Sequence, residues 1–208
     1  MSNSRKEHWE RVYAAKLPSE VSWYEPMPEQ SLELIRATGE LHTAPILDVG
    51  GGASTLVDHL IRLGYSDISI LDIASSALDR ARTRLGDLAT RATWIEADIT
   101  RFEPSRTYAI WHDRAVFHFL TSAEDRDRYV GVLRKALQAG GHLVLATFGP
   151  EGPTRCSGLE VQRYSAPEIS AILGTGFTLR KHLVGEHRTP LGSVQQFLYG
   201  WWQIFSER

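Results

Sequence analysis

Cysteine is nearly absent: Cys156 stands alone among 208 residues. One thiol forms no intrachain disulfide and no cysteine-clustered metal site, so a packed core must carry the fold, and a reducing, cytoplasmic setting is expected. Long apolar runs are missing as well. No stretch approaches the roughly 18 apolar residues of a membrane span, and Met1 to Trp9 is polar, without the apolar segment of a secretory leader. Charge of either sign is not in excess: 23 Lys and Arg face 25 Asp and Glu, a net charge of −2. That argues against a general nucleic-acid binder, which normally shows a basic surplus. The eight histidines are scattered; no His-x-x-x-His pair exists, and no metal site is expected. There is no internal repeat, low-complexity tract or domain linker.

What is present reads as one domain with a sizeable core. Hydrophobic residues make up 42% and charged residues 23% of the chain, ordinary globular values. Residues 1–28 form an N-terminal arm, 29–148 the core and 149–208 a tail. The core is organised around Ile46-Leu47-Asp48-Val49-Gly50-Gly51-Gly52-Ala53-Ser54. An apolar run enters a glycine turn, and helical spacing follows at Leu56, Val57, Leu60 and Ile61. Glycines there let the backbone approach a ligand that a Cβ would exclude, and the N–H groups of the helix start favour an oxygen-rich or anionic group. Thr55 occupies the place of the third glycine of a dinucleotide fingerprint, and no Gly-Lys-Ser/Thr P-loop exists. Asp72, about 20 residues on at the end of the next strand, is placed to accept both hydroxyls of a ribose. Asp98 ends the following apolar run. Asp48 stands where it would fix the turn or hold an amino group.

The remaining elements follow the same logic. Residues 4–16 read as a helix with Trp9, Val12 and Tyr13 on one face, ended by Pro18. Val21 to Pro28 is a proline-punctuated, aromatic loop. Glu29 to Thr38 is a helix with Leu32 and Ile35 inward, stopped at Gly39. Ile68–Asp72, Thr93–Ala97, Tyr108–Asp113 and His142–Phe148 read as strands. A helix after Ile73 is capped by Ser75 or Ser76, with Leu78, Ala81 and Leu85 inward, and a second spans Arg126 to Leu137, closed by Gly140-Gly141. After a Gly/Pro-rich loop over Gly149–Arg163, a short helix begins at Pro167. Two strands, Phe177–Glu186 and Val194–Phe205, then turn around Pro190-Leu191-Gly192. Strand and helix in alternation imply a parallel sheet covered on both faces, with ligands beyond the carboxyl ends of its strands. Asp48, Asp72, Asp98 and Asp113 all lie at such ends.

The Asp-x-Gly-x-Gly turn, with Asp72 and Asp98 at their spacing, resembles the class I S-adenosylmethionine (SAM) methyltransferases over Ile46 to Phe148. The resemblance implies a three-layer, Rossmann-like α/β fold with a mostly parallel seven-stranded sheet, its last strand antiparallel. It implies SAM as cofactor, with S-adenosylhomocysteine as product, held by Asp48, Gly50, Gly51, Gly52, Asp72, Ile73, Asp98, Ile99, His112 and Asp113. Trp9, Tyr13, Trp23 and Tyr24 resemble an arm that covers the cofactor in several of these enzymes. Plain core packing of the arm is the alternative. The stretch Trp111-His112-Asp113-Arg114-Ala115-Val116-Phe117-His118-Phe119 lacks the Asn/Asp-Pro-Pro-Tyr motif of many nucleic-acid and glutamine N-methyltransferases. Its Asp113-Arg114-Ala115 looks like the Asp-Arg-Ala segment of thiopurine and related thiol S-methyltransferases. That likeness implies Asp113 and Arg114 as catalytic residues, Asp113 taking a proton and Arg114 favouring a thiolate. It also implies Phe117, His118 and Phe119 against a small-molecule acceptor. Asp113-Arg114 also reads as a plain salt bridge, and His118 as a packed core histidine. A protein lysine N-methyltransferase, trans-aconitate-like O-methylation and a SAM-binding module without catalysis are the alternatives. The first carries Asp-Lys-Gly-Thr near position 113, which this chain lacks.

Overall fold

Two helices, α1 (Ser2–Ala15) and α2 (Glu29–Ala37), precede the first strand, β1 (Ile46–Val49). Then come α3 (Leu56–Arg62), β2 (Ile68–Asp72), α4 (Ser75–Leu85), β3 (Ala92–Glu96), β4 (Tyr108–Arg114), α5 (Ala123–Ala136) and β5 (Leu137–Phe148). A two-stranded ribbon, β6 (Arg155–Cys156) with β7 (Leu159–Glu160), is followed by α6 (Ala166–Leu173), β8 (Phe177–Arg188) and β9 (Val194–Ile204). The computed structural model describes residues 2–17 and 20–205; Pro18, expected to end the first helix, lies outside them.

Seven strands form one sheet in the order β3-β2-β1-β4-β5-β9-β8. The pairs from β3 to β5 are parallel, and β9 runs antiparallel to both its neighbours. The last strand is thus the antiparallel one, as expected. Strand order reverses between β1 and β4, and that switch point opens a crevice at the strands' carboxyl ends. Strands β1 and β2 are buried throughout, as strands covered on both faces must be. Alternation along them divides the core in two. Ile46, Ile70, Ile110 and Val144 pack with α2, α3 and α4, and Leu47, Leu71, Trp111 and Leu145 with α5 and α6. Each fully buried Leu or Ile stabilises by about 1.5–3 kcal/mol. Among the described residues no helix is long and apolar enough to cross a membrane.

Several local expectations are corrected. Helix α5 begins three residues before Arg126, where Ser122 accepts the Asp125 N–H at 3.1 Å. Gly140-Gly141 do not end it. The chain passes from Ala136 straight into β5, and Gly141 sits where a Cβ would lie 2.9 Å from the Gln138 carbonyl. Strand β3 ends at Glu96, one residue earlier than read. Leu34, unremarked in the pattern, is fully buried on α2. The loop before α6 holds the β6–β7 ribbon, and α6 starts with a Ser165–Glu168 capping box.

The start of α4 differs most. Neither Ser75 nor Ser76 caps it; the carboxylate of Glu10, on α1, does. Glu10 Oε1 accepts the Ser75 N–H at 2.8 Å and its hydroxyl at 2.9 Å, and Oε2 accepts the Ser76 N–H at 3.3 Å. Burial raises the Glu10 pKa, but these bonds outweigh it and hold the group below its ordinary value. A carboxylate at a helix N-terminus also meets the positive end of the dipole. Glu10→Ala is expected to lower the unfolding free energy by about 1–2 kcal/mol, read as a lower urea midpoint at unchanged slope. The wild-type advantage is present above the unfolded carboxylate range and is lost as pH falls through the depressed folded value. An unchanged midpoint would remove the capping role.

Candidate active site

The turn after β1 is built by exclusion. Gly50 adopts φ +69°, and a Cβ there would fall 2.1 Å from Val116 Cγ2. At Gly51 a Cβ would lie 2.2 Å from Asp48 Oδ2, and at Gly52 2.6 Å from Asp72 Oδ2. The Gly50 N–H donates to the Leu71 carbonyl at 2.7 Å, tying the turn to β2. Only glycines bring the backbone this close to two carboxylates.

Three acids surround the turn. Asp72 Oδ1 accepts the Ala74 N–H at 2.9 Å and Oδ2 the Gly52 N–H at 3.1 Å. Burial, outweighing these bonds, raises its pKa to about 6. Asp98 Oδ1 accepts the Thr100 N–H at 3.0 Å and hydroxyl at 2.8 Å, while its Oδ2 is buried without a partner among the described residues. Asp48 Oδ1 lies 2.7 Å from His112 Nδ1, and its Oδ2 is likewise buried and unpartnered. His112 Nε2 is 2.8 Å from Ser31 Oγ on α2. A carboxylate only accepts, so Nδ1 carries a hydrogen and donates to Asp48.

Two adjoining cavities open here. One, about 800 Å³ and partly open to solvent, is lined by Asp72, Ile73, Asp98 and Ile99 on one side and by Arg114, Ala115, Val116 and Phe119 on the other. Trp9, Tyr13 and Trp23 cover it. The second, about 520 Å³, is lined by Tyr24, Glu25, Ser31, Asp48, Gly51 and His112. Gly50, Trp23 and Arg114 border both. The aromatic roof is mutually braced. Trp9 meets Phe119 edge-on at 4.9 Å and Trp23 at 5.7 Å, and Tyr13 meets Trp23 at 6.2 Å. Burial, and then the charge of Asp72, push the Tyr13 pKa well up, so it stays a neutral phenol.

The structure brings Trp9, Tyr13, Trp23, Tyr24, Asp48, Gly50, Gly51, Asp72, Ile73, Asp98, Ile99, His112, Arg114 and Phe119 to these walls. Gly52 sits behind them, against Asp72. Asp113, Phe117 and His118 are not on the walls. Side chains alternate along β4, so His112 and Arg114 face the cavities while Asp113 turns toward α5. There its Oδ2 accepts the Tyr129 hydroxyl at 2.7 Å, and Oδ1 accepts the N–H of Val116 at 3.0 Å and of Phe117 at 3.4 Å. Asp113 therefore fixes a turn in which Ala115 takes φ +70°, and does not reach an acceptor's proton. Burial outweighs the Tyr129 bond, which lowers its pKa, and raises it to about 6. Phe117 is fully buried against Tyr129 and Tyr164. His118 stacks on Phe148 at 4.5 Å, its Nδ1 accepting the Phe148 N–H at 3.3 Å. Burial, then the Arg114 charge, lower its pKa to about 3, so it is a neutral core histidine.

Arg114 is not a free cation. It donates to the Glu25 carboxylate at 2.8 Å and to the Trp23 carbonyl at 2.7 Å, with its guanidinium 4.9 Å from the Phe197 ring centroid. Glu25, Ser31 and Arg5 were missed in the sequence. Arg5 lines the larger cavity and pairs with Asp125. A lone acid inside Trp-Tyr-Glu-Pro was a usable signal for Glu25; Ser31 reaches His112 only through the placement of α2, which the local sequence does not encode.

This sheet order, switch point and acid-ringed glycine turn define the class I methyltransferase fold. Residues 46–141 match the model of the methyltransferase domain family. Among curated relatives, a malonyl-[acyl-carrier protein] O-methyltransferase from Ilyobacter polytropus is 29% identical over 105 residues, 50% of this chain and 38% of that protein. Nodulation protein S from Rhizobium tropici is 29% identical over 129 residues, 61% of this chain and 50% of that protein. The chain thus spans half or less of the length of these two. The solved structure of the N-methyltransferase NodS from Bradyrhizobium japonicum WM9, in complex with S-adenosyl-L-homocysteine, superposes with a TM-score of 0.72 at 17% identity. That match covers 96% of this chain and 97% of the other.

Asp113→Ala leaves the Tyr129 hydroxyl and two N–H groups without their acceptor. It is expected to cost about 2–4 kcal/mol of stability, read by urea unfolding, while the folded fraction keeps its turnover. A stable variant with turnover reduced a hundredfold or more would restore Asp113 as the base.

Proposed function

We propose that this chain transfers the methyl group of SAM to a small-molecule acceptor, at a thiol sulfur. The observation that carries the cofactor assignment is the pair of buried, unpartnered carboxylate oxygens on Asp48 and Asp98, set on either side of Asp72 around the glycine turn. An acceptor atom buried without a donor is costly unless a ligand supplies one. Asp98 fits an exocyclic amine of the adenine, Asp72 the ribose hydroxyls and Asp48 an ammonium. The aromatic roof fits a sulfonium, since a cation near such faces gains about 0.5–2 kcal/mol. Bound there, SAM supplies an electrophilic methyl carbon whose bond to sulfur breaks, the electron pair staying on sulfur, as the acceptor's lone pair forms the new bond.

The chain's own contribution is orientation, the exclusion of water and a dry, shaped wall. The wall on the acceptor side, from Arg114 to Phe119 with Trp9, holds no free base. Asp113 is turned away, Glu25 is paired and His118 is neutral and off the wall. Cys156 borders the same space, but burial raises its pKa, so it is not a ready thiolate. A site without a base suits an acceptor that ionises unaided. A thiol, with an ordinary pKa near 8.5, does so far more readily than an alcohol. The O-methyltransferase and the N-methyltransferase named above act on oxygen and nitrogen by their names, so the sulfur assignment rests on this wall and on the likeness of Asp113-Arg114-Ala115 to thiol S-methyltransferases.

The test is the full chain with SAM against thiols, amines and carboxylic acids, read as S-adenosylhomocysteine release with product mass. Methylated thiols alone are expected. Products methylated only on nitrogen or oxygen would overturn the sulfur assignment, and SAM consumption by no acceptor would overturn transfer to a small molecule.

A further inference from the structure

The arm is fastened over the site by a charge cluster that the reading above leaves without a role. Residues 22–25 of the arm meet Arg114 at the end of β4 and His187 near the end of β8. His187 Nε2 lies 2.6 Å from the Ser22 carbonyl oxygen, and Nδ1 lies 3.1 Å from Glu25 Oε1. The same Glu25 oxygen accepts from Arg114 at 2.8 Å, and Arg114 also holds the Trp23 carbonyl at 2.7 Å. His187 is buried, while its strand neighbours Glu186 and Arg188 face solvent.

The hydrogen-bonding chemistry fixes the direction of the Ser22 contact. A carbonyl oxygen only accepts, so Nε2 donates to Ser22. Burial raises the Glu25 pKa, but the His187 bond and the Arg114 charge outweigh it and hold the carboxylate below its ordinary value. Glu25 is therefore an anion near neutrality, with Nδ1 facing it across 3.1 Å. The other groups facing this cluster are the Tyr199 hydroxyl on β9, 3.5 Å from Glu25 Oε1, and Cys156 Sγ, 3.8 Å from Ser22 Oγ. Both are neutral, since burial raises their pKa values.

We propose that His187 is a positioning residue: together with Arg114 it latches residues 22–25 to the ends of β8 and β4 and sets Trp23 and Tyr24 against the cofactor. The latch itself needs only this chain, and its effect on SAM rests on the reading proposed above.

Amide hydrogen exchange of residues 21–26, measured on the full chain without ligand, reads the latch directly. Calorimetric SAM titrations under the same conditions read its consequence. His187→Ala is expected to raise arm exchange and to weaken SAM binding by about tenfold, the scale of one charge-assisted bond. His187→Gln, whose amide can still donate to the Ser22 carbonyl, should recover most of both. Glu25→Gln, which removes the anion but keeps the shape, should loosen the arm as His187→Ala does. Folded His187→Ala and Glu25→Gln variants with wild-type arm exchange would overturn the proposal. Looser arms in both, with no SAM binding by the wild type, would uphold the latch and sink the cofactor assignment instead.

Discussion

The close approach of the Gly50–Gly52 backbone to Asp48, Asp72 and Val116 is the constraint on which the rest depends. A methyl group at any of the three positions would collide with a neighbour at 2.1–2.6 Å. Because the turn has no side chains, β1 delivers the chain directly beneath the crevice where strand order reverses. The acids at the ends of β1 and β2, and just past β3, then surround one space. The parallel sheet explains why they converge: three strands of like direction end on one edge, and each carries an aspartate within two residues of its end.

The arm completes what the sheet begins. It is tied to α4 through Glu10, to α3 through Thr55 and His59, and to the ends of β4 and β8 through Arg114 and His187. Nearly all of these ties are polar and sit at its margins, while its aromatic rings face the cavity. Margins of hydrogen bonds around an apolar underside make a cover whose position is specified without filling the space beneath it. The roof, the glycine turn and the wall from Arg114 to Phe119 therefore come from parts of the chain distant in sequence.

Much of this was legible in the residues. The apolar run into Gly50-Gly51-Gly52, the spacing to Asp72 and Asp98, and the alternation of strands with helices pointed to the fold and to most residues that line the crevice. Asp113 was misread for a physical reason. Strand β4 is buried on both faces, so no polar alternation tells which residues point toward the crevice, and Asp113 and Arg114 look equivalent until the sheet is built. Phe117 and His118 were lost to the same ambiguity, since an apolar helical turn after a strand reads alike whether it faces a ligand or the core. Glu10 at the start of α4, and His187 beneath the arm, act across 65 or more residues; local pattern carries no trace of such pairs. Gly140-Gly141 looked like a helix stop because glycine pairs often are, yet here they serve the first part of a strand.

The most direct test of the central claim, that the acid-ringed switch point holds the adenosyl cofactor, is a calorimetric titration of the full chain with S-adenosylhomocysteine at pH 7.5 and pH 5. The product analogue binds without turnover, so the heat reports the site alone. One-to-one binding at pH 7.5, weakened at pH 5 as Asp72 takes up a proton, and weakened about tenfold or more by Asp72→Ala, is the predicted result. Absence of binding, or an affinity that Asp72→Ala leaves unchanged in a folded chain, would contradict it.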